Sequence, residues 1–144
     1  MSRTIVIVDQ HESVVAALTT AFARAGYQAR GAHTFRDAVA LMDLVSPAAL
    51  VVSLELGAYN GLHVLLRSTI HHPYAKVIVT GPANSTIEDE ALSLGATAYV
   101  PRPVDSEALV DEVSGLFLDT MPPPGVLPYR HPVRTSRPAM RQLR

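Results

Sequence analysis

Three stretches of this chain are apolar at every position instead of every second one: Ile5-Val6-Ile7-Val8, Ala49-Leu50-Val51-Val52 and Val77-Ile78-Val79. A strand with one face in water alternates apolar and polar residues, whereas a continuous β-branched run suits a strand buried on both faces. Strands of that kind belong to a parallel sheet covered by helices on both sides. The segments between the runs supply those helices.

After the first run, Val14, Leu18 and Phe22 recur at four-residue spacing, with Ser13 as a candidate N-cap and Gly26 as a stop. A weaker strand follows over 27–32. Thr34 and Asp37 then form a capping-box-like start for a helix that turns Phe35, Ala38, Val39 and Met42 inward, and Pro47 ends that unit. The central run ends at Ser53 and gives way to a loop containing Gly57 and Asn60-Gly61. A helix carrying Leu62, Leu65, Leu66 and Ile70 is closed by Pro73. Lys76-Val77-Ile78-Val79-Thr80 is a fourth strand, broken by Gly81-Pro82. Helical spacing returns over 84–94, a short fifth strand occupies Ala98-Tyr99-Val100, and a last helix covers 105–118. Five strands alternating with five helices predict an α/β fold, a doubly wound five-stranded parallel sheet. At this size the expected arrangement is flavodoxin-like (CheY-like), in the order 2-1-3-4-5.

The composition divides the chain in two. Residues 1–121 hold seven Lys/Arg against thirteen Asp/Glu, a formal −6; residues 122–144 hold five arginines and no acid. The second part also carries Pro122-Pro123-Pro124, Pro128, Pro132 and Pro138 with few large apolar residues, too little to bury a core. A folded domain over 1–120 and a disordered Pro/Arg-rich tail over 121–144 are expected. The absence of cysteine excludes disulfides, thiolate metal sites and thiol catalysis. No apolar run approaches the roughly 18 residues of a membrane span. The first residues lead into a strand without a basic-then-apolar leader. A cytoplasmic protein without a membrane span is therefore the expectation.

The residues that could carry chemistry stand where strands end: Asp9 and Gln10 after the first, Ser53 after the third, Thr80 after the fourth, Arg102 and Pro103 after the fifth. In a doubly wound sheet these positions share one crevice, the usual place for a ligand. With these residues in this order, the chain over residues 3–118 resembles the receiver domain of two-component response regulators. Asp9 matches the first pocket acid, Asn60-Gly61-Leu62 the usual Asp-Gly-Leu, Thr80 and Tyr99 the switch hydroxyl and aromatic, and Pro103 the proline of the Lys-Pro pair. The resemblance implies a cis bond before Pro103 and a partner surface on the fourth helix, fifth strand and fifth helix.

Three positions depart from the family pattern. Ser53 stands at the phosphoacceptor aspartate, Gln10 at the second acid and Arg102 at the lysine. Aspartyl phosphorylation needs a carboxylate nucleophile and a Mg²⁺ held by oxygen ligands that typically include carboxylates. A degenerate receiver, a pseudo-receiver, is expected. It would not be an enzyme, would need no cofactor, would bind Mg²⁺ weakly or not at all, and would use no other metal. Arg102 is expected to pair with Asp9 or Glu55 as a clamp. Such a module would act in phosphorelay signalling through contact with a histidine kinase or a downstream effector. Two alternatives stay open: atypical phosphorylation at Ser53 or Asp9, and an adaptor whose basic tail binds nucleic acid or another anion weakly and without sequence preference. Glu55 reads as a solvated loop acid and His71-His72 as a solvated turn. Ser53 lacks the glycines of a hydrolase nucleophile elbow, and no phosphate-cradling glycine loop for a flavin follows the first strand.

Overall fold

The computed structural model describes residues 2–118. The Pro/Arg-rich segment expected over 121–144 lies outside the described residues. Strands β1 (Thr4–Val8), β2 (Gln28–Ala32), β3 (Ala49–Ser53), β6 (Lys76–Gly81) and β7 (Ala98–Pro101) form one parallel sheet in the order β2-β1-β3-β6-β7. With the five main strands counted alone, this is 2-1-3-4-5. Between β3 and the third helix, where the sequence predicts a loop, lies an antiparallel hairpin of two-residue strands, β4 (Glu55–Leu56) and β5 (Tyr59–Asn60).

The helices are α1 (Glu12–Arg24), α2 (Phe35–Val45), α3 (Gly61–His71), α4 (Ser85–Ser93) and α5 (Ser106–Leu118). Side chains on a strand point to alternate faces, and this sorts the apolar runs into two cores. Ile5, Ile7, Ala49, Val51 and Ile78 pack with Val15, Leu18 and Phe22 of α1 and with Leu109, Val113 and Phe117 of α5. Val6, Val8, Leu50, Val52 and Val79 pack with Ala38 and Met42 of α2, Val64 and Leu65 of α3, and Ala91 of α4. All five residues of β3 are buried. The runs cannot alternate in polarity because both faces are covered.

Two local expectations need correction. Helix α1 starts before Ser13: its N-cap is His11, which makes no side-chain cap bond. The entry is fixed instead by the Asp9 carboxylate, which accepts the His11 N–H at 2.8 Å. In α3, Leu66 and Ile70 face solvent, 41% and 71% exposed, while Val64, Leu65 and Ser68 are buried. The helix begins at Gly61 with Asn60 as cap, and that phase turns the other stripe to the sheet.

Candidate functional site

Parallel strands in register end together, so the sheet's C-terminal edge gathers residues far apart in sequence. Ser53 and Thr80 are register partners on β3 and β6, and Val8 and Val52, each next to a site residue, are partners on β1 and β3. Asp9 and Ser53 are 4% and 1% exposed, and Thr80 is 4% exposed. The chain brings Arg102 over them after β7, where its backbone N–H donates to the Gly81 carbonyl at 2.8 Å. The Arg102–Pro103 bond is cis.

The Arg102 side chain organises the pocket. Its Nη2 donates to Ser53 Oγ and lies 3.9 Å from Asp9 Oδ2, and its Nη1 lies 4.0 Å from Glu55 Oε1. A planar guanidinium can meet three acceptors in this way, where a lysine would offer one point charge. Gln10 turns elsewhere: its Oε1 accepts the Gly57 N–H at 2.8 Å and ties the end of β1 to the β4–β5 hairpin. The sequence alone shows at Gln10 only the missing acid.

This arrangement limits the chemistry. The group on Ser53 Oγ is a guanidinium, which carries only donors and offers no acceptor to take up the hydroxyl proton. Magnesium prefers carboxylate and water oxygens in octahedral array. Here the buried side-chain oxygens are one carboxylate, from Asp9, and the hydroxyls of Ser53 and Thr80, with an arginine beside them. No group of three His, Cys, Asp or Glu side chains among the described residues could hold a metal ion. The donor set does not fit Mg²⁺.

Arg102→Ala would leave the buried Asp9 carboxylate without its cation. A fully buried pair broken this way costs more, but Arg102 is 29% exposed and its ionic contacts are near 4 Å, so a loss of about 2 kcal/mol is expected in urea unfolding. Unchanged stability would show that no clamp exists.

A family model for the response regulator receiver domain matches residues 5–114. This chain belongs to that family. The receiver domain is 28% identical over 123 residues to the photosynthetic apparatus regulatory protein RegA of Rhodobacter capsulatus, covering 85% of this chain and 66% of that protein. It is 31% identical over 106 residues to the regulatory protein AtoC of Escherichia coli, covering 73% and 23%. The chain thus spans about two thirds or less of the length of these curated relatives. Among solved structures, a CheY-like receiver domain protein from Methanospirillum hungatei superposes with a TM-score of 0.78 at 21% identity, over 83% of this chain and 96% of that one. The BeF3-activated DrrB receiver domain gives 0.74 at 20%, over 82% and 99%. At such identities these two show the fold.

Thr80 and Tyr99 lie on the neighbouring strands β6 and β7, where Thr80 is the register partner of Val100 and Tyr99 that of Val79. Tyr99, 3% exposed, donates its hydroxyl to the Pro82 carbonyl at 2.7 Å. Gly81 makes room for it: a Cβ there would lie 2.5 Å from the Tyr99 hydroxyl. The sequence signal for this seat is a glycine directly after a strand-end hydroxyl residue, a pattern that by itself indicates only a strand break. Burial, and then the Glu88 carboxylate, push the Tyr99 phenol up to about 12, with Arg102 opposing. The folded state therefore keeps a proton that the unfolded chain releases near 10. Stability should be complete below pH 10 and fall as pH rises from about 10 to about 12, by about 2 kcal/mol. Denaturant midpoints across that range should show the fall, and Tyr99→Phe should flatten it.

The histidines have local roles. His63 Nδ1 accepts the Asn60 N–H at 3.1 Å, closing the α3 cap. His72 is not simply solvated: its Nε2 lies 3.0 Å from Asp43 Oδ1, and Arg67 is 3.7 Å from the same carboxylate, which ties α2 to α3.

Proposed function

We propose that this receiver domain is a phosphorylation-independent protein–protein interaction module of two-component signalling, cytoplasmic and without enzymatic activity of its own. The observation that carries the reading is the Arg102 guanidinium, which engages Ser53 and lies between Asp9 and Glu55. The space where a receiver would assemble metal, phosphoryl group and lysine is thus held by an internal ionic cluster. The inward Tyr99, hydrogen-bonded to Pro82, supports a face of α4, β7 and α5 kept in one arrangement. The partner is a signalling protein, a histidine kinase or a downstream effector, and α4 offers it Glu88, Asp89 and Glu90.

Affinity capture from the native host tests this. The wild-type chain and Ser53→Ala should retain the same partner, with or without acetyl phosphate and Mg²⁺. Glu88→Lys/Asp89→Lys should lose it. Capture that depends on Ser53 or on acetyl phosphate would contradict the proposal.

A further inference from the structure

The strand ends open on more space than the Arg102 cluster uses. A cavity of about 480 Å³ lies between the ends of β1 and β3, the first half of α1 and the β7–α5 connection. Most of its wall is aliphatic, from Ile7, Val14, Leu18, Val51 and Val104. Its polar groups are gathered together: Arg102 contacts both Ser53 and Asp9, and Thr80 is the register partner of Ser53. A smaller depression of about 160 Å³ between α1 and the start of α5 shares Val14, Leu18 and Val104 with the cavity. Pockets of roughly 300–1,000 Å³ with apolar walls and a few convergent polar groups are the usual form of small-molecule sites. Aliphatic walls hold water poorly, so covering them with an apolar ligand is favourable.

The charges at the polar end select the ligand class. Asp9 and Arg102, which both line the cavity, oppose each other at 3.9 Å. An anionic head group would meet the Asp9 carboxylate, and a cationic one would meet the guanidinium. A neutral end meets neither penalty. Thr80, 4% exposed, lines the cavity, and its hydroxyl can donate to an oxygen placed there.

We infer that this cavity binds a neutral, mainly apolar small molecule ending in a carbonyl oxygen, with that oxygen accepting from Thr80 at the polar end and the carbon body lying along Val14, Leu18 and Val104. The site goes beyond the partner-binding function proposed above and does not depend on it.

The test uses the full chain and the uncharged fluorophore N-phenylnaphthylamine, displaced by methyl hexyl ketone, octanoate or octylamine. Saturable one-to-one probe binding is expected, with the ketone displacing it at lower concentration than the acid or the amine. Val104→Phe, which fills the cavity, should weaken the probe by about tenfold or more. Thr80→Val should weaken the ketone by about tenfold more than it weakens the probe. Should either variant fail to fold by far-UV circular dichroism, methyl NMR of the native chain decides: the ketone should shift Ile7, Val14, Leu18, Val51 and Val104. Absence of saturable binding, unchanged affinity in folded Val104→Phe, or shifts confined to exposed Leu66 and Ile70 would overturn the site. Equal displacement by octanoate or octylamine would overturn the neutral ligand class.

Discussion

Gly61→Ala should destabilise this receiver domain by about 3 kcal/mol, at the upper end of what overpacking usually costs. A Cβ at Gly61 would lie 2.3 Å from the Ser53 carbonyl oxygen, 2.9 Å from its carbon and 2.9 Å from Val52 Cγ1. Two of those three atoms are backbone, so no rotamer change relieves the contact. Nor can the chains move apart freely, because the Gly61 N–H donates to the Leu54 carbonyl at 2.7 Å. The origin is steric and not conformational, since Gly61 is not among the residues with positive φ. Gly57 makes the opposite case: nothing lies within 4 Å of its would-be Cβ, but its φ is +63°. Gly57→Ala should therefore cost only about 1 kcal/mol. Urea midpoints for the two variants, at unchanged slope, give the comparison. Equal losses would mean that the approach of α3 to the end of β3 does not hold Ser53 in place.

That contact also shows what could be read before the structure. The parallel sheet was legible because Ile5-Val6-Ile7-Val8 and Leu50-Val51-Val52 leave no polar face for water. The site's membership was legible because strand ends in a doubly wound sheet converge. The ionic cluster was foreseen only as a choice of Asp9 or Glu55, while the guanidinium reaches both and Ser53 as well. A fork with several donors does not reveal its partners in sequence. Gln10 was opaque for a related reason: its acceptor role depends on a backbone N–H, Gly57, that is 47 residues away. The exposed stripe of α3 was hidden by its apolar content, because Leu66 and Ile70 share the composition of the buried stripe. Most hidden of all was the cavity beside Val14 and Val104, since a volume belongs to no single residue.

The largest functional change should come from restoring the pocket in the Gln10→Asp, Ser53→Asp, Arg102→Lys variant. Each substitution answers one departure. At position 53 the missing group is a carboxylate nucleophile. At position 10 it is a second acid beside Asp9 for Mg²⁺. At position 102 a lysine removes the fork that would otherwise grip a new aspartate as a bidentate pair. Ser53→Asp alone should therefore react poorly. The backbone frame needs no change, because Ser53 already ends β3 in register with Thr80 and Gly61 already packs against its carbonyl.

Intact-mass spectrometry after incubation with acetyl phosphate and Mg²⁺ tests the silent pocket most directly. One added phosphoryl group is expected on the restored variant, transferred to the aspartate at position 53 with release of acetate, and none on the native chain. A phosphoryl group on the native protein would contradict this expectation, and the residue that carries it would identify the chemistry the Arg102 cluster permits.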